Sequence, residues 1–185
     1  MRFTSFLLLF SLLIVCVACC DDPQSIRLSD SENQFIPYEA NDILRYKNLV
    51  SGNMIEFIVK DIESEFFDNS APGAMLVGPC DSDLYETKTL KLESESCLME
   101  YSVSVLGEPA SFRFSIYNCD LFISAGSNNN TQESLYQDGT YTVEGITYQP
   151  VYVLSNANSR VLVTPGVGIL SFTDEATGEE YVFIE

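Results

Sequence analysis

Residues 101–116 read Tyr101-Ser102-Val103-Ser104-Val105-Leu106-Gly107-Glu108-Pro109-Ala110-Ser111-Phe112-Arg113-Phe114-Ser115-Ile116. Apolar side chains recur at every second position on both sides of a Gly-Glu-Pro-Ala break, the period of a strand with one buried face. With 107–110 as the loop, Tyr101, Val103 and Val105 face Ile116, Phe114 and Phe112. Ser102, Ser104, Arg113 and Ser115 then point to the other side. The stretch is expected to form a half-buried antiparallel hairpin.

The same grammar extends in both directions. With Ser51-Gly52 as the loop, Tyr46 is expected opposite Phe57 and Leu44 opposite Val59. Glu144-Gly145 joins Tyr141-Thr142-Val143 to Ile146-Thr147-Tyr148 and pairs Tyr141 with Tyr148. A loop over 156–159 sets Leu154 opposite Val161 and Tyr152 opposite Val163. Further strands are expected at 84–92, 167–173 and 180–184, whereas 62–67 reads as a strand or a single helical turn. No segment carries a long amphipathic helical pattern. Roughly nine to eleven short strands over 35–185 predict an all-β domain, either one antiparallel β-barrel or a two-layer sandwich.

Composition narrows the chemistry. The 185 residues include 27 acids, 9 bases, six cysteines, no histidine and no tryptophan, for a formal charge of −18. Nucleic-acid binding needs clustered Lys and Arg, so no nucleic-acid partner is expected. Without histidine, Ser-His-Asp and Cys-His catalysis and imidazole metal ligation are excluded.

The N-terminus carries a different signal. Met1-Arg2 is followed by an almost wholly apolar run, 3–18, that stops at Cys19-Cys20-Asp21-Asp22 with no basic flank. A basic start, a short apolar segment and a small residue before the break describe an export signal rather than a retained membrane helix. Val17-Ala18-Cys19 resembles the lipobox of bacterial lipoproteins, with Cys16 where an aliphatic residue is usual. The resemblance implies removal of 1–18 and acylation (palmitate among the chains) of Cys19, which moors the protein to a membrane through its N-terminal lipid. Cys20 is the poorer anchor, because Cys19 would precede it. The mature chain then has 167 residues and 27 acids against 8 bases, a charge of −19. Residues 19–34 are expected to be the anchor and a flexible acidic tether. In lipoproteins of the Bacteroidota an acidic stretch after the anchor resembles a surface-export signal, and Asp21-Asp22 would match it.

The other candidate residues are weaker. Cys80, Cys97 and Cys119 are the candidate disulfide partners, in keeping with export. On the register above, Cys97 points inward with Met99 and Cys119 outward with Tyr117. No bridge forms between opposite faces unless a bulge reverses one of them, and buried free thiols are the other reading. Acids cluster at Asp61/Glu63/Glu65, Asp81/Asp83 and Glu93/Glu95. Calcium binding or a hydrolytic carboxylate pair would use such groups, but none has the spacing of an EF-hand loop, and solvated turns and faces are the plainer reading. Cysteine spacing offers no zinc knuckle, no glycine-rich phosphate loop is present, and no metal, cofactor or catalytic residue is expected. Asn129 heads an N-x-Thr sequon in a polar loop.

Three stretches, Asn41 to Asn48 continuing through Ser-Gly-Asn-Met-Ile-Glu-Phe-Ile-Val, the segment 138–154 (DGTYTVEGITYQPVYVL) and Pro165-Gly166-Val167-Gly168-Ile169-Leu170-Ser171-Phe172, resemble small, mostly uncharacterised outer-membrane lipoproteins of Bacteroidota. The resemblance implies an exported β-rich lipoprotein and transfers no catalytic residue. The expected function is a lipid-anchored outer-membrane or cell-surface protein whose β domain is non-catalytic and binds an envelope protein or component. The alternatives are a barrel that carries an apolar ligand or lipid among its Tyr and Phe side chains, and a carboxylate-dependent hydrolase.

Overall fold

A computed structural model describes residues 24–68, 83–105, 111–119, 121–126, 134–137 and 139–184. Fourteen strands and one short helix account for most of them: β1 (Ser25–Ile26), α1 (Asp30–Asn33), β2 (Ile43–Asn48), β3 (Met54–Asp68), β4 (Leu84–Glu93), β5 (Leu98–Ser104), β6 (Ser111–Tyr117), β7 (Ile123–Gly126), β8 (Ser134–Gln137), β9 (Tyr141–Val143), β10 (Ile146–Tyr148), β11 (Tyr152–Ser155), β12 (Ser159–Thr164), β13 (Gly168–Asp174) and β14 (Glu179–Phe183). Eleven strands form one antiparallel path, β7-β6-β5-β4-β3-β2-β14-β13-β12-β11-β8, and β1 adds to β4 in parallel. Pairing of β2 with β14 joins the two ends of the sequence. β7 turns back against β11, β12 and β13, and the Asn156 amide donates to the Ser124 carbonyl. The sheet is thus nearly closed into a barrel, the first of the two architectures expected.

Period-two side chains fill the interior. Tyr46, Phe57, Met99, Tyr101, Phe112, Phe114 and Phe172 are fully buried. Several of the rings meet edge-on or tilted, as in Tyr46–Phe57 at 6.1 Å and Tyr46–Phe172 at 5.0 Å between centroids, geometries that the ring quadrupole favours, while Tyr101 and Phe112 stack at 6.5 Å. The β9–β10 hairpin lies outside the barrel, where Tyr141 and Tyr148 pack on Val151, Val153, Leu162 and Leu170. That cover explains why β12 and β13 are apolar on both faces.

Registers agree with the sequence where the loop chemistry is explicit. Tyr141 opposes Tyr148 across Glu144-Gly145, both at positive φ, and Leu154 opposes Val161. Elsewhere two expected registers slip by two residues. Leu44 opposes Phe57 and Tyr46 opposes Ile55, because the Asn48 side chain accepts from the Val50 and Ser51 N–H groups and closes a longer turn. Val103 likewise opposes Phe112. A two-residue slip keeps every side chain on its face, so the core is unaffected. Residues 62–67 are strand, part of the 15-residue β3.

The boundary expected at residue 35 is too late. Ser29 caps α1 in a reciprocal box with Glu32, the Leu28 N–H donates to Glu86, and Leu28, Phe35 and Ile36 are buried in the main core. Phe35 sits 4.9 Å from the Phe112 ring and 5.3 Å from Tyr152. Residues 24–38 therefore belong to the domain and cover one end of the barrel.

Tyr38 completes that cover. Its hydroxyl accepts from the Ile169 N–H at 2.8 Å, and Tyr46 donates to the Ile169 carbonyl at 3.2 Å. Burial holds the Tyr38, Tyr46 and Tyr101 phenols well above their ordinary range. Gly168 makes the approach feasible: at φ +85° it has no Cβ, and one placed there would overlap the Tyr38 ring and hydroxyl. Gly166, at φ +81°, has open space around the same position. Gly168→Ala is expected to cost about 2–4 kcal/mol, backbone strain plus overlap. Gly166→Ala should cost about 1 kcal/mol, strain alone. Urea melts of the two variants against wild type check the difference, and equal losses would contradict the packing role of Gly168.

Candidate functional site

The barrel's two ends differ. At one, where β2, β4, β6, β11 and β13 begin, the segment 28–38 lies over the core. At the other, the turns after β4, β6 and β13 and the start of β3 surround a cleft of about 350 Å³. Ile55, Leu121 and Tyr181 give it an apolar floor, Asp174 and Glu179 stand at one side, and Cys97 and Cys119 form another wall. A second groove of about 580 Å³ shares Ile55 and Ser96 with it and continues along Met54, Ile58, Lys60 and Glu93.

Asp174 and Glu179 are direct cross-strand partners in the β13–β14 hairpin. Like charges so placed repel, and local bonds hold them: Asp174 Oδ1 accepts from the Ala176 N–H at 2.9 Å, and Glu179 accepts from the Tyr181 hydroxyl at 3.3 Å. Burial, the largest cause, raises the Tyr181 pKa, opposed by a hydrogen bond with Asn48. Two half-buried carboxylates beside an apolar floor form a surface suited to a basic group with an aliphatic stem. The strands expected at 167–173 and 180–184 leave 174–179 as the connection between them, with no role of its own. Its missed signal was an acid at each end of the turn, which the hairpin brings face to face.

Cys97 and Cys119 are joined by a disulfide, with Cα atoms 5.0 Å apart. This corrects the expectation of opposite faces. Asn118, just after β6, has φ +64°, and this left-handed residue turns the chain so that Cys119 points back toward Cys97. On the other side, the Ser94 hydroxyl accepts from the Cys97 N–H at 2.9 Å and fixes the incoming turn. Cys16, Cys19, Cys20, Cys80 and Asn129 lie outside the described residues.

The acidic clusters are dispersed along outer faces. Lys91 pairs with Glu63 at 2.6 Å, and Lys60 with Glu93 at 3.4 Å. The Asp83 carboxylate accepts from the Gln24 N–H at 3.1 Å, while Asp81 is outside the described residues. Among the described residues no group of three or more acids or cysteines converges as a metal site, and no helix is long and apolar enough to cross a membrane. Comparison with protein-family models, with curated proteins and with solved structures finds no match for the chain.

The disulfide closes a segment with a sequence separation of 22. Converting both Cys97 and Cys119 to Ser is expected to lower unfolding stability by about 3 kcal/mol through the freed unfolded chain. Chemical denaturation of oxidised wild type and the double variant checks this, and coincident curves would contradict a structural role for the bridge.

Proposed function

We propose that the protein is a lipid-anchored outer-membrane or cell-surface lipoprotein whose β domain is a non-catalytic binding or accessory module. The observation that carries this reading is the apolar run 3–18 ending at Val17-Ala18-Cys19, a short export segment with its cysteine at the point of cleavage. The Cys97–Cys119 disulfide supports export, since such bonds persist outside the reducing cytosol. The likeness to small Bacteroidota outer-membrane lipoproteins belongs to the same proposal.

Chain direction gives the reading an orientation. β1 enters beside the start of β4, at the covered end of the barrel. Acyl chains a few residues upstream hold that end toward the membrane and leave the cleft of Asp174, Glu179 and Tyr181 facing outward. An acidic cleft with an apolar floor suits a basic, amphipathic segment of an envelope protein. The carrier alternative would place a ligand among rings that instead pack against one another, such as Phe172 on Tyr181 at 5.1 Å.

Replacing Cys19 with Ala is expected to leave uncleaved, unacylated precursor, read by intact mass and by loss of an acyl label from the membrane fraction. Normal processing and membrane retention of that variant would overturn the anchor assignment.

A further inference from the structure

We propose that the outer wall of the barrel carries a glycan-binding groove across β3, β4, β5 and β6, whose ligand is a short oligosaccharide bearing a carboxylated sugar held by Arg113. The site is separate from the cleft of Asp174 and Glu179, and it does not depend on the lipid anchor.

Strand register builds the groove. Glu65, Thr87, Ser104 and Ser111 oppose one another in a single row across the four strands. Ser102 and Arg113 oppose each other in the next row. Directly opposed side chains share a face. This face is the outer one, because the alternate residues Leu90, Tyr101, Val103 and Phe114 are buried in the core. Short hydroxyl side chains therefore make the floor. Longer ones rise around it, Glu65 and Phe67 on β3 and Arg113 on β6, and enclose a hollow of about 390 Å³. That volume falls within the range of small-ligand sites. Three strand spacings of about 4.8 Å set Glu65 and Arg113 roughly 14 Å apart across the sheet, the reach of a short oligosaccharide rather than of a single ring. The hollow lies toward the covered end, beside the end of β3 and the starts of β4 and β6.

The lining selects the ligand. A hydroxyl both donates and accepts. The Thr87 hydroxyl donates to Ser104 Oγ at 3.0 Å, which leaves the Ser104 proton for a further acceptor. A floor of such groups matches a ligand that is itself rich in hydroxyls. The Phe67 ring supplies an apolar surface for the C–H side of a sugar ring, and the Glu65 carboxylate can accept from two of the sugar's hydroxyls.

Arg113 sets the charge of the ligand. Arg45, Lys47, Lys60 and Lys91 pair with glutamates, Lys88 bonds Asn33, and Arg27 stacks on the Phe66 ring. Arg113 is exposed and has no hydrogen-bond or ion-pair partner among the described residues. In a chain of 27 acids and 9 bases, a guanidinium left unpaired beside hydroxyls presents a planar fork to a carboxylate. The −18 charge of the chain and Glu65 in the same hollow disfavour a polyanion. One carboxylate on an otherwise neutral glycan satisfies both ends.

The experiment titrates matched pairs of short glycans into the full chain by calorimetry: 3′-sialyllactose against lactose, and trigalacturonate against its methyl ester. The carboxylated member of at least one pair should bind, about tenfold or more tighter than its uncharged counterpart. Arg113→Gln should erase that difference. Ser102→Tyr, which places a large side chain on the floor while keeping a strand-forming residue, should abolish binding of both members. Circular dichroism checks that each variant is folded, and the exposed, unpaired Arg113 keeps the test intact if Ser102→Tyr is not. Absence of binding to either acidic glycan, equal binding within the pairs, or binding that Arg113→Gln leaves undiminished would each overturn the proposal.

Discussion

The hydrogen bonds around Ile169 are the junction on which the rest of the molecule depends. One backbone residue of β13 donates to Tyr38 from the covering segment and accepts from Tyr46 of β2. Two neighbouring stretches near the N-terminus meet there a strand more than a hundred residues away in sequence. β2 also carries the only hydrogen-bonded link among the described residues between β3 and β14, so loosening this junction would open the barrel where its N-terminal and C-terminal parts join. The geometry works because Gly168 presents no side chain to Tyr38. Tyr101, fully buried with no hydrogen-bond partner for its hydroxyl among the described residues, adds ring contact to the same core at the cost of an unsatisfied phenol.

The asymmetry between the barrel's ends follows from that junction. Anchored by Tyr38, the segment carrying Leu28, Phe35 and Ile36 covers one end and brings β1 beside β4. The opposite end keeps its cleft, framed by a disulfide and by the two facing carboxylates of the β13–β14 turn. On the proposed reading, a lipid at the N-terminus and a binding surface at the far end would set the mooring and the partner on opposite sides.

Much of the fold was legible because strand side chains alternate strictly. Which residues face inward survives an error of two in register, so the core containing Tyr46, Phe57, Tyr101 and Phe114 could be read even where pairings could not. Glu144-Gly145 fixed its turn through positive φ, whereas the turn after β2 is set by Asn48 side-chain bonds that no local pattern announces. Residues 24–34 read as tether because Leu28, their one core side chain, stands among polar residues. They acquire meaning only against a core built by distant strands. Barrel closure through β2 and β14 is non-local in the same way, and the Cys97–Cys119 bond depends on one left-handed asparagine. The chemistry of the cleft was invisible for the same reason: Asp174 and Glu179 become neighbours only once the hairpin folds.

The most direct test of a filled, phenol-centred interior is an alkaline titration that follows phenolate absorbance and backbone circular dichroism together. Tyr38, Tyr46 and Tyr101 keep their protons in the folded state well above the ordinary value of 10.0. The unfolded chain therefore releases protons that the native state retains, so the contribution of these phenols to stability is constant below about pH 10 and falls as pH rises beyond it. Exposed tyrosines should titrate reversibly first, and the remaining phenols should ionise only together with cooperative loss of β signal. Complete ionisation of all ten tyrosines near the ordinary value, with the β signal intact, would contradict the closed aromatic core.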